Sequence, residues 1–212
     1  MKPIEMLFKH CEFENPYIVY VLLAVSRKKD TPEITNTQEI VFREVIKNER
    51  DIARKYNRLK AQILHYEDES GKKFPFYLYV SLNPRDSLKA TFSLIGSINH
   101  WLQEEIRGVD NSKMFKKIYG HFYSALMKKE SRAKSPRYFM LDYDQKDKLD
   151  EFDLLLKAFD IETVMRVETR NGYHYKVKPY DRSAFPDPKN KDNFNFESKI
   201  DANLFVEYFK NE

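Results

Sequence analysis

The sequence predicts an α+β fold: an antiparallel sheet with helices on one face. Three observations support this. Short aromatic and β-branched runs alternate with longer segments of helical period. The stretch from Arg137 to Tyr180 reads strand, helix, strand, strand. Asn171-Gly172 falls between the last two of those strands, and such a pair marks a hairpin because both residues tolerate positive φ. The order β-α-β-β suits part of a ferredoxin-like sheet. At 212 residues the chain is long enough for a single α+β domain over 1–212. Within it, 84–135 reads as a helical insertion or subdomain and 137–180 as the βαββ core.

In order, "PYIVYVLLAV" is a buried strand that ends in the basic cluster Arg27, Lys28 and Lys29. From Gln38 to Tyr66 the chain is polar and helix-favouring, with Ile52, Tyr56, Leu59 and Ile63 on one stripe. "FPFYLYVSLN" is an aromatic-rich strand cut at "NPRD", where Pro84 suits a first helical turn. Two amphipathic helices follow, "SLKATFSLIGSINHWLQEEI" and "SKMFKKIYGHFYSALMKKE", then a basic linker. "RYFMLDYD" is a strand, and "DKLDEFDLLLKAF" is a helix with acids in the first turn, where the helix dipole favours them. "TVMRVETR" and "YHYKVKPY" are the hairpin. "DRSAFPDPKNKDNFNFES" is an irregular loop, and "ANLFVEYF" is a last strand.

Composition narrows the function classes. Apolar residues make up 42% and aromatics 15%, so a core can form. The net charge of +4 permits a nucleic-acid partner without requiring one. Cys11 is the single cysteine, which excludes a disulfide framework and a thiolate zinc site. No signal-peptide core or apolar run of about 20 residues is present. The expectation is a cytoplasmic protein with no membrane association.

Four groups of residues carry candidate chemistry. Asp142 and Asp144 share one face of a strand while Leu141 and Tyr143 share the other. Two carboxylates this close repel unless a cation lies between them, and hard oxygen ligands suit Mg²⁺ or Mn²⁺. The same pattern also fits an ordinary strand end. His174 follows the hairpin turn with Lys176 on its face, a pair able to hold a triphosphate. A two-residue turn at Asn171-Gly172 places Thr169 opposite His174. Arg85 sits where a strand gives way to a helix, a natural anion position. Arg27, Lys28 and Lys29, with Lys128, Lys129, Arg132, Lys134 and Arg137, are candidate contacts to a nucleic-acid backbone.

Together these elements resemble the catalytic half of archaeo-eukaryotic primases and primase-polymerases. "FMLDYD" is similar to that family's first motif, an apolar strand bearing two acids. "RNGYHY" is similar to its second, a small-residue turn followed by histidine. "YVSLNPRD" is similar to an element that precedes them in phage and plasmid members, and the short chain looks like phage or mobile-element proteins of this kind. The resemblance implies an RRM-like sheet and catalytic roles for Asp142, Asp144 and His174. It implies metal, Mg²⁺ or Mn²⁺, on Asp142 and Asp144, and a phosphate contact from His174; Lys176, Arg85 and Arg170 are the further candidate phosphate contacts. The family's third acid falls on Asp201, with Glu207 as the alternative. Arg170-Asn171-Gly172 replaces the family's usual serine-glycine before the histidine. The partners implied are DNA or RNA, nucleoside triphosphates and replication proteins, in the host cytoplasm if the protein is phage-encoded.

Three functions follow as expectations. The first is a metal-dependent nucleotidyltransferase of primase-polymerase type. The second is a metal-dependent nuclease with His174 as general base. The third is a non-catalytic module, which binds single-stranded nucleic acid on an RRM-like sheet or serves as a phage accessory protein.

Overall fold

The computed structural model describes residues 2–27, 39–135, 137–183 and 194–210. In chain order the elements are α1 (Pro3–His10), β1 (Ile18–Ser26), β2 (Ile40–Ile46), α2 (Asp51–Leu64), β3 (Phe76–Ser81), β4 (Arg85–Asp86), α3 (Ser87–Ile106), α4 (Ser112–Lys116) and α5 (Ile118–Met127). They continue with β5 (Phe139–Tyr143), α6 (Leu149–Ala158), β6 (Thr163–Glu168), β7 (Tyr173–Val177), β8 (Phe196–Lys199) and β9 (Asn203–Phe209). The architecture is α+β, with two antiparallel sheets.

The first sheet has the order β2-β1-β3-β9, with β4 pairing beside β3 on β1. The central strand β1 is covered on both faces, which is why its sequence is an unbroken apolar run. One face, with Tyr20, Leu22, Phe76 and Leu78, packs on Leu7 of α1 and on Ile52, Leu59 and Ile63 of α2. The other face, with Val19, Val21 and Leu23, packs on Ala90 of α3 and on Ala125 and Leu126 of α5.

The second sheet has the order β6-β7-β5-β8. Its Leu141, Tyr143 and Tyr175 face is closed by Phe152 and Leu156 of α6. Tyr143 and Phe152 stack with centroids 4.2 Å apart. Burying aromatics of this size contributes about 2–3 kcal/mol each. The opposite face turns toward the first sheet, and Met140 joins that sheet's core.

The structure departs from the sequence expectations in several places. Residues 40–46 form a strand although they lie in the polar segment read as helix; β-branched Val41, Val45 and Ile46 pair along β1. The helical stripe of Ile52, Tyr56, Leu59 and Ile63 is buried as read, but its helix starts at Asp51. The N-terminal α1 was not anticipated, although Pro3 sits at its first turn. The segment 112–127 forms two helices rather than one. The "ANLFVEYF" strand joins the first sheet, and the fourth strand of the second sheet is β8, drawn from the segment read as irregular loop. Part of that loop, 184–193, lies outside the described residues, as do Lys28 and Lys29 of the first basic cluster.

Candidate functional site

Alternation along β5 points Leu141 and Tyr143 into the α6 core and Asp142 toward the first sheet. Cross-strand pairing then sets its neighbours. Asp142 lies opposite His174 of β7 on one side and Glu197 of β8 on the other. Directly opposed residues share a face, so the three side chains converge. They open into a cleft of about 640 Å³ between the sheets, together with Asp144, Lys199 and Arg170. The first sheet contributes Arg27, Tyr77, Tyr79 and Phe205 to the facing wall.

The polar contacts are specific. His174 Nε2 lies 3.3 Å from Asp142 Oδ1. The Phe205 backbone N–H, on edge strand β9, donates to His174 Nδ1 at 3.1 Å. A ring nitrogen that accepts carries no proton, so the neutral ring keeps its proton on Nε2 and presents a donor to the cleft. Lys199 Nζ bridges Asp142 Oδ2 at 2.7 Å and Glu197 Oε2 at 3.0 Å. Burial alone would raise the Asp142 pKa, but His174 and Lys199 outweigh it and hold that carboxyl at about 2. Asp144 moves the opposite way, raised by burial and then by the Asp142 charge. Burial disfavours the Lys199 charge, yet Asp142 and Glu197 raise its pKa. On the facing wall, Arg27 lies 5.1 Å over the Tyr79 ring and donates to its hydroxyl at 2.8 Å. Arg170 donates to the Tyr77 hydroxyl at 3.1 Å.

Gly172 is needed here, for a reason other than the one its sequence suggests. No residue of 169–172 has positive φ. The hairpin closes through the Thr169 N–H bond to Gly172 O, so the two central turn residues are Arg170 and Asn171, and Val167 rather than Thr169 faces His174. A Cβ on Gly172 would lie 1.9 Å from Tyr143 O. The glycine lets the hairpin press against the chain between Asp142 and Asp144.

Three residues assigned to the site from sequence have other partners. Lys176 shares the His174 face but is fully buried away from the cleft. Its Nζ donates to His10 O at 3.3 Å, lies 3.5 Å from Glu12 and sits 3.8 Å over the Tyr138 ring. Burial lowers its pKa, against the pull of Glu12. Arg85 is 1% exposed and grips Asp201 through two hydrogen bonds of 2.6 and 3.2 Å, while donating to Lys128 O at 3.4 Å. Asp201 reaches the cleft rim but is held there by Arg85 and by Arg132 Nε at 3.0 Å. Asn83 completes this clamp: its side-chain amide bonds Tyr138 N, Tyr138 O and Ile200 O. "NPRD" therefore fastens the two sheets together. Glu207 accepts from the Tyr56 hydroxyl of α2, outside the cleft.

Glu197 and Lys199 were missed. Their signal is the alternation Phe194, Asn195, Phe196, Glu197, Ser198, Lys199, a strand pattern that follows directly on the proline-containing loop. Among the described residues, no three His, Cys, Asp or Glu side chains are already arranged to hold a metal ion. No helix among them is long and apolar enough to cross a membrane. No protein-family model, curated protein or solved structure matches the chain.

Proposed function

We propose that the protein is a metal-dependent nucleotidyltransferase of primase-polymerase type, acting on nucleic acid and nucleoside triphosphates in the cleft between its sheets. The observation that carries this reading is the convergence of Asp142, Asp144, His174 and Glu197 on one wall of a nucleotide-sized cleft. The strand order β6-β7-β5-β8 with α6 on one face supports an RRM-like reading of the second sheet.

Asp144 is raised by burial and then by the neighbouring Asp142 charge, and a cation between the two would relieve that repulsion. The donor set of Asp142, Asp144 and Glu197 is all hard oxygen, which fits Mg²⁺ or Mn²⁺. Glu197, opposite Asp142, suits the third acid better than Asp201, whose charge is already matched by two guanidiniums. A bound ion would neutralise triphosphate charge and help activate a 3′-hydroxyl. Lys199 would have to leave the carboxylates when the ion enters, and its ammonium would then be available to a phosphate. Arg170 and Arg27 offer further cationic contacts, and Tyr77, Tyr79 and Phe205 offer rings for a base.

The His174 tautomer favours transferase over nuclease. With Nδ1 occupied by Phe205 N–H and Nε2 directed at Asp142, the ring has no free lone pair with which to remove a proton from water.

Primer extension with labelled nucleotides and Mn²⁺ tests the proposal. The wild type is expected to lengthen the primer, and Asp142→Asn to lower the rate at least ~1000-fold without loss of fold. Shortened products, or equal extension by Asp142→Asn, would overturn it.

A further inference from the structure

Helix α3 carries apolar residues on two opposite faces. The inner stripe, Ala90, Leu94, Ile98 and Trp101, is buried or half-buried on the α5 side. The outer stripe is Leu88, Phe92, Ile95, Asn99, Leu102 and Ile106, and every one of these residues is exposed. Phe92 is 65% exposed and Ile106 86%. Successive spacings along the outer stripe are four, three, four, three and four, the 3.5-residue repeat of a helix that packs along its length against another helix. Together the apolar members leave roughly 500 Å² open, large for a patch on a monomer and the greater part of the ~800 Å² per partner that a stable interface buries.

Two further observations indicate what covers this stripe. The spacing is the same read from either end, so the stripe is complementary to itself run antiparallel. About a centre at Ser97, Leu88 matches Ile106, Phe92 matches Leu102 and Ile95 matches Asn99. Two-fold interfaces require this self-complementarity. Beside that centre stands Gly96, in the middle of a 20-residue helix. A mid-helix glycine costs about 1 kcal/mol relative to alanine. Gly96 has no positive φ, and a Cβ there would meet nothing within 4 Å. The single chain gives it no role, whereas a second helix crossing at the centre of the stripe would need that space for close approach. The lone polar member, Asn99, fixes register at some loss of stability, as single polar residues do in apolar helix seams.

We propose that the outer face of α3 is a self-association surface, on which two copies of this chain pair antiparallel about a two-fold axis beside Gly96. The surface is separate from the cleft, so the proposal stands independently of the assigned activity.

Sedimentation velocity of the purified chain across a concentration series tests it. The expected result is a species of twice the chain mass that persists to low micromolar concentration. Phe92→Glu with Ile95→Glu should raise the dissociation constant at least 100-fold while leaving the circular dichroism melt cooperative. Leu154→Glu, a 63% exposed site on α6, should leave the dimer intact. Orientation is read separately by disulfide trapping, since Cys11 is buried. Gly96→Cys should cross-link under mild oxidation and Leu88→Cys should not. A wild-type monomer at every concentration, or a dimer unaffected by the Phe92→Glu/Ile95→Glu pair, would overturn the proposal. Efficient cross-linking at Leu88→Cys would overturn the antiparallel arrangement.

Discussion

Asp142 and Asp201 make an instructive pair. Both carboxylates line the same cleft, both are about one-fifth exposed, and both meet two basic side chains. They differ in what holds them. Asp201 is gripped by the buried guanidinium of Arg85 and flanked by Arg132, planar groups that point their donors in fixed directions. Asp142 is held by an imidazole and by a lysine on a flexible stem shared with Glu197. Asp144 beside it is pushed toward the neutral form by burial and then by the Asp142 charge. The first arrangement is complete as it stands and ties the two sheets together. The second shares one flexible lysine between two acids and is the arrangement proposed to exchange that lysine for a divalent cation. A carboxylate's exposure therefore says less about its job than the rigidity of its partners.

The largest test of this contrast is on stability. Asp201→Ala leaves Arg85 buried without its counter-charge and should cost about 3–5 kcal/mol in chemical denaturation. Asp142→Asn should cost far less, since Lys199 keeps Glu197. Equal losses at the two sites would erase the distinction.

A smaller effect appears in the acid limb of the stability curve. The folded-state pKa of Asp142 is about 2, below its ordinary 3.8. That stabilisation is fully present above pH 3.8 and is lost as pH falls through 2. Asp142→Asn should therefore flatten the decline between those values by about 1–2 kcal/mol. An unchanged acid limb would mean that His174 and Lys199 do not hold the carboxylate as the geometry indicates.

Legibility in the sequence followed the range of the interactions involved. The buried strand β1, the α2 stripe and the α6 helix were readable because burial and period are local signals. Alternation made it legible that Lys176 shares the His174 face, whereas the pairing that sets His174 opposite Asp142 joins strands more than thirty residues apart. Arg85 looked like an anion site because its partner Asp201 lies 116 residues away. Lys176 looked like a phosphate ligand because nothing local announces that α1 and the chain after it close over that end of the strand. Glu197 joins the site only through pairing of β8 with β5 across more than fifty residues. The glycine of "RNGYHY" was legible as necessary, but the necessity is a backbone approach to Tyr143 from another strand.

The central claim is that the acids around Asp142 exchange their lysine for a divalent cation and that Asp201 does not take part. Electron paramagnetic resonance of free Mn²⁺, titrated with protein, measures this directly. Wild type and a folded Asp201→Asn variant are expected to bind the ion, and Asp142→Asn to lose it. No binding by the wild type, or binding lost with Asp201→Asn and kept in Asp142→Asn, would contradict the account.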